Sequence, residues 1–201
     1  MKTGVFIIES LDLENEEQGL FEGRVLREIL NMLGVETAYV YIRTKKELKI
    51  MIKRFEKLNY KYLHLSCHGN QEGIAMTLDK YAFPFSEFSD MFDYYGDSKR
   101  LFLSSCSVMK EDNISKELLD TRLLSIAGPT TEIDFSDAAI FWASFYHQMF
   151  RENDSMMDNK HLKETLDKLS KTFDVDISLL ILNSSKEKYN RYNYKNQLVE
   201  S

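Results

Sequence analysis

Apolar residues along this chain fall into short unbroken runs that alternate with longer stretches of helical spacing. Val5-Phe6-Ile7-Ile8 is a run rich in β-branched side chains, which suits a strand covered on both faces. An acidic segment carrying Glu9, Asp12, Glu14, Glu16 and Glu17 follows, and Leu20, Val25, Ile29, Leu30 and Leu33 then recur at helical spacing up to Gly34. The unit repeats with a strand at 37–42 and a helix at 45–58, where Leu48, Met51, Ile52 and Phe55 share one face. A third strand at 62–66 ends at Cys67-His68-Gly69. There the period changes, and the segments 74–78 and 81–84 around Asp79-Lys80 predict a small hairpin, covered by a helix at 85–92. A fourth strand at 100–105 ends at Cys106. A short helix at 115–120, a fifth strand at 123–128 and a helix at 136–151 that is apolar almost all round come next. A polar loop at 151–160, an amphipathic helix at 161–173 and a sixth strand at 177–182 complete the pattern.

Such alternation predicts an α/β fold, with a central, mainly parallel six-stranded sheet, helices on both faces and right-handed crossovers. We read residues 1–185 as one domain and 186–201 as a polar tail. The net charge of −6 disfavours nucleic acid as a partner, since no basic patch is obvious in the body of the chain. The tail mixes Lys186, Lys188, Arg191 and Lys195 with Tyr189, Tyr192 and Tyr194, a combination able to stack on single strands, but a solvated tail is the simpler reading. No run reaches the length of a membrane span, and the apolar stretch at the amino terminus is too short for a signal peptide. A cytoplasmic location is expected, with Cys67 and Cys106 as free thiols. No glycine-rich phosphate loop follows the first strand, and the four histidines are dispersed, so neither a cofactor nor a metal is expected.

In parallel sheets ligands sit beyond the carboxyl ends of the strands. Strands three and four end in His68-Gly69 and in Cys106, which sets an imidazole and a thiol on one rim. An imidazole beside a thiol can take its proton or, as a cation, favour the thiolate, giving a nucleophile and its base. Gly69 permits close approach of its N–H, and with the N–H of Cys106 it can form an oxyanion hole. A third group to orient the histidine is not identifiable. His64 and Cys67 read as core packing, and His147 and His161 as helix residues without a special role.

His64-Leu65-Ser66-Cys67-His68-Gly69 closing one strand, Leu103-Ser104-Ser105-Cys106 closing the next, and Asp137-Ala138-Ala139 leading to Phe145-Tyr146 in a later helix resemble the caspase-like cysteine peptidases, with the bacterial CHAT branch as the nearest likeness. The resemblance implies a three-layer αβα sandwich. It makes His68 the catalytic histidine, Cys106 the nucleophile and the Gly69 and Cys106 amides the oxyanion hole of an endopeptidase that forms a thioester acyl-enzyme on a protein or peptide substrate. It further implies a regulated effector of bacterial defence or cell death, switched on by an activating protein or ligand partner.

Departures from that pattern carry their own expectations. Caspases proper hold a substrate aspartate with arginines from the loops after the first and fifth strands, whereas here those loops are acidic. Glu132 and Asp134 are therefore expected to line the specificity pocket and to favour a basic residue before the scissile bond. Ser107-Val108-Met109 lacks the glycine that caspases carry two residues past the nucleophile. No long loop separates Cys106 from the fifth strand, so activation by linker cleavage is not expected. Some relatives bind calcium, and Asp12, Glu16 and Glu17 are the acids available for it here, although a solvated surface is the simpler account. The alternative function is a catalytically silent caspase-like fold that binds or signals, with the strand at 179–182 as an edge on which a homodimer could pair.

Overall fold

The computed structural model describes residues 4–58, 60–93, 99–152 and 157–195. Ten strands and seven α-helices occur among them in this order: β1 (Val5–Glu9), α1 (Leu13–Gln18), α2 (Glu22–Met32), β2 (Thr37–Tyr41), α3 (Lys45–Lys57), β3 (Tyr62–Ser66), β4 (His68–Gly69), β5 (Gly73–Ala75), β6 (Phe83–Pro84), α4 (Phe85–Ser89), β7 (Arg100–Ser104), α5 (Asn113–Glu117), β8 (Ser125–Pro129), α6 (Phe135–Glu152), α7 (Asn159–Phe173), β9 (Ile177–Asn183) and β10 (Lys188–Tyr194). Capping chemistry marks several helix starts. Thr44 and Glu47 form a reciprocal capping box on α3, and the Asp158 carboxylate accepts the N–H groups of Lys160 and His161 at the start of α7.

Seven strands form the central sheet in the order β10-β9-β8-β7-β3-β1-β2. The pairs from β2 through β8 are parallel, and β9 and β10 run antiparallel at one end. Side chains alternate between two cores. Phe6, Ile8, Leu63, Leu65, Leu101 and Leu103 meet α3, α4 and α5 through Leu48, Phe55, Phe88 and Ile114. Val5, Ile7, Tyr62 and Phe102 meet α2, α6 and α7 through Leu26, Phe141, Trp142, Tyr146 and Leu166. Burial of each large side chain of this kind contributes about 1.5–3 kcal/mol. The result is a mixed α/β fold with helices on both faces of a mostly parallel sheet, as the alternation of runs predicts. Among the described residues, no helix is long and apolar enough to cross a membrane.

Three expectations need correction. The sheet has seven strands rather than six, because Lys188–Tyr194 is not a free polar tail but pairs with β9 along its whole length. Its tyrosines explain why: Tyr189 is buried with its hydroxyl donating to Leu123 O at 2.9 Å, and Tyr192 and Tyr194 pack against the α2/α6/α7 core. The segment 179–182 is consequently an interior part of β9, and the edges of the sheet are β10 and β2. The hairpin beyond strand three is a small antiparallel sheet in which β5 lies between β4 and β6, so His68 and Gly69 themselves belong to it. Residues 196–201 of the expected tail and 153–156 of the expected loop lie outside the described residues.

Candidate active site

Residue placement at the rim follows from register. β3 and β7 pair with Ser66 opposite Ser104, and the ladder continues one step further as the Cys67 N–H donates to Ser104 O at 3.1 Å. The ladder stops there: His68, two residues past Ser66, enters β4, and Cys106, two residues past Ser104, lies in a turn. The two proposed catalytic residues thus each follow the last paired residue of adjacent strands by two positions.

Cys67 and Cys106 part company in burial. Cys67 is buried in the apolar core, and that burial pushes its thiol up to about 12, so it is inert at neutral pH. Cys106 is partly exposed. Its Sγ lies 3.6 Å from Ile133 O, to which the thiol donates, and no hydrogen bond joins it to His68. Ser107 next to it adopts a left-handed conformation, φ +55°, which costs a non-glycine residue roughly 1 kcal/mol, and its N–H is held by Thr131 O at 3.0 Å.

The His68 side chain is 39% exposed and is held at one nitrogen. Its Nε2 lies 2.8 Å from the Asn15 side-chain amide and 3.4 Å from Asp12 Oδ2, while the ring meets Phe135 edge-on at 5.6 Å. With the Asn15 oxygen toward the ring, Nε2–H donates and Nδ1 keeps its lone pair. With the amide turned over, its nitrogen donates to Nε2 and to both Asp12 oxygens, and the proton of the neutral ring sits on Nδ1. Asp12 and Asn15 belong to the start of α1, where the Asp12 side chain also accepts the Asn15 N–H at 2.7 Å. The orienting group that the sequence did not single out is this capped turn. The signal was an aspartate followed three residues later by an asparagine directly after the first strand. Asp12 and Glu16 are committed to separate partners, the latter to Tyr41 and Arg43, and so do not converge with Glu17 on a cation.

Gly69 is required where it stands. A Cβ there would lie 2.4 Å from Ser105 Oγ, 2.9 Å from Gly73 O and 3.0 Å from Val108 Cγ1. Asn70 N–H donates to Gly73 O at 2.9 Å, so Gly69, opposite Ile74, occupies the alternate, non-bonded position of the antiparallel ladder, and its N–H points away from β5. The Cys106 N–H has no backbone acceptor among the described residues. Both proposed oxyanion donors are thereby left available.

Cys106 opens onto a pocket of about 420 Å³ lined by Glu132, Ile133, Asp134, Asp137, Asp174 and Val175. Glu132 and Asp134, singled out from the sequence, do share a cavity with the thiol. Asp137 and Asp174 were not foreseen: the former is in the first turn of α6 and the latter ends α7 in a left-handed conformation, φ +56°. Four carboxylates around one cavity make a negative field suited to a guanidinium or ammonium group. No protein-family model matches this sequence, and no curated protein matches it.

Proposed function

We propose that the chain is a cysteine endopeptidase of caspase-like type that uses Cys106 as nucleophile and His68 as base. The observation that carries this reading is the pairing of β3 and β7, whose neighbouring ends are followed two residues on by an oriented imidazole and a partly exposed thiol, with the thiol at the mouth of a carboxylate-lined pocket. With the Asn15 oxygen toward the ring, so that Nε2 carries the proton and Nδ1 the lone pair, loss of the Sγ–H to His68 Nδ1 gives a thiolate that attacks the substrate carbonyl carbon. Negative charge moves to the carbonyl oxygen, facing the Gly69 and Cys106 N–H groups. Collapse expels the amine, which takes its proton from His68, and leaves a thioester. Water, deprotonated by His68, then displaces Sγ and releases the acid.

The specificity pocket favours a basic residue before the scissile bond, since Glu132, Asp134, Asp137 and Asp174 would pair with it and would repel an aspartate. The hydrogen bond from Cys106 to Ile133 O supports a resting state that an activating partner or the substrate itself must release.

Peptide probes with an electrophilic carbonyl, one series ending in arginine or lysine and one in aspartate, test these statements together. The basic series is expected to label the native chain and Cys67→Ala, and to fail on Cys106→Ala and His68→Ala. Labelling that survives in Cys106→Ala removes the nucleophile, and stronger labelling by the aspartate series removes the specificity. No labelling under any condition leaves the silent binding fold as the function. Full activity of the purified native chain without any partner assigns the release to the substrate and removes the activating partner.

A further inference from the structure

Directly beneath the rim, on the α2/α6 face, one buried carboxylate spans both strand ends. Ser66 and Ser104, the last residues of β3 and β7, donate through their hydroxyls to the same oxygen, Glu22 Oε2, at 2.8 and 2.7 Å. The other oxygen lies 3.2 Å from His64 Nε2, whose Nδ1 is 3.0 Å from the Tyr146 hydroxyl. Glu22 is 3% exposed, and Ser66, His64 and Tyr146 are fully buried. Trp142 packs edge-on against the His64 ring at 5.4 Å and closes the cluster from the side of α6.

We infer that Glu22 is a positioning residue that fixes the separation of the strand ends bearing His68 and Cys106; the inference rests on the peptidase reading above. Each serine stands two residues before its proposed catalytic partner, Ser66 before His68 and Ser104 before Cys106. Hydrogen bonds to a carboxylate are shorter and stronger than neutral ones, and a single acceptor oxygen shared by two donors ties their distance to its own geometry. The fold alone does not ask for this arrangement. Paired parallel strands buried on both faces are held equally well by apolar side chains, and burying a carboxylate carries a large desolvation cost. Glu22 is the first residue of α2, so the positive end of that helix, together with the two hydroxyls and His64, offsets part of the cost. Helix α2 thereby sets the width of the rim from outside the sheet.

The test is the pH profile of Cys106 alkylation by iodoacetamide, read by peptide mass spectrometry in the full chain, with thermal unfolding as a control. Native protein is expected to show rapid alkylation on the acid side of the profile that disappears in His68→Ala. Ser66→Ala with Ser104→Ala, and separately Glu22→Gln, are expected to lower that His68-dependent rate about tenfold to a hundredfold while the chain stays folded, and Ser104→Thr, which keeps the hydroxyl, to restore it. Should Glu22→Gln not fold, the serine pair decides the matter. A double serine variant with the native profile overturns the clamp and leaves the dyad standing. A native profile that His68→Ala does not change overturns the dyad, and the clamp with it.

Discussion

His64 and His68 are four residues apart on one stretch of chain, yet they occupy different media. His64 is sealed beneath the rim, with both ring nitrogens engaged by Tyr146 and Glu22 and its face against Trp142. His68 is on the rim, with one nitrogen held by the α1 turn and the other without a hydrogen-bond partner among the described residues. The two cysteines divide the same way, Cys67 inward and Cys106 outward. A group whose hydrogen-bonding capacity is used up within the fold can only hold structure together, whereas one with capacity to spare can act on something else.

The histidines give the widest separation of effects. His64→Ala should cost about 3–5 kcal/mol in unfolding free energy, because it strips a partner from the buried Glu22 carboxylate and opens a gap beside Trp142. His68→Ala should change stability by no more than about 0.5 kcal/mol while abolishing probe labelling. Chemical denaturation of both variants checks the pair, and a destabilised His68→Ala would erase the distinction between the two regions.

Glu9 tests the buried side by pH. It accepts the Gly23 N–H and the Tyr39 hydroxyl, both at 2.7 Å, but burial outweighs these bonds and raises its carboxyl from the ordinary 4.5 to about 7. Between those values the folded chain holds a proton that the unfolded chain releases. The contribution is complete below pH 4.5, declines as pH climbs to about 7 and is flat beyond, a loss of about 3 kcal/mol. Glu9→Gln should flatten that slope in denaturation curves taken from pH 5 to 8.

Gly69→Ala probes the boundary between the regions. Contacts with Ser105 Oγ and Gly73 O force a shift, with an expected loss of about 1–3 kcal/mol and weaker probe labelling, measured by thermal unfolding and labelling rate. The smallest effect belongs to Ser107. Glycine there relieves the left-handed backbone and should raise stability by up to about 1 kcal/mol, while loosening the turn beside Cys106 and slowing labelling.

Much of this was legible from the order of residues. The apolar runs of β1, β3 and β7 and the helical spacing of α3 and α6 carry their own local signal, and strand ends then locate His68 and Cys106. The band beneath the rim carries none. Glu22 meets His64 across 42 positions and Ser104 across 82, and no local pattern marks any of the three as a set until the fold brings them together. β10 misled for another reason. Tyrosine alternating with lysine, asparagine and arginine looks solvated as a sequence, but the phenol bodies cover apolar surface while the Tyr189 hydroxyl, Arg191 and Asn193 find hydrogen-bond partners.

Arg191 on that last strand reaches back to the turn after Cys106, donating to Met109 O at 2.8 Å and Glu111 O at 2.9 Å and pairing with Asp112 at 2.7 Å. The order of synthesis then matters. A ribosome makes residues 106–112 some eighty residues before it makes the arginine that fastens them. The nascent chain therefore carries its rim with this turn unfastened until β10 has emerged and docked, so a half-made molecule lacks the fastened turn.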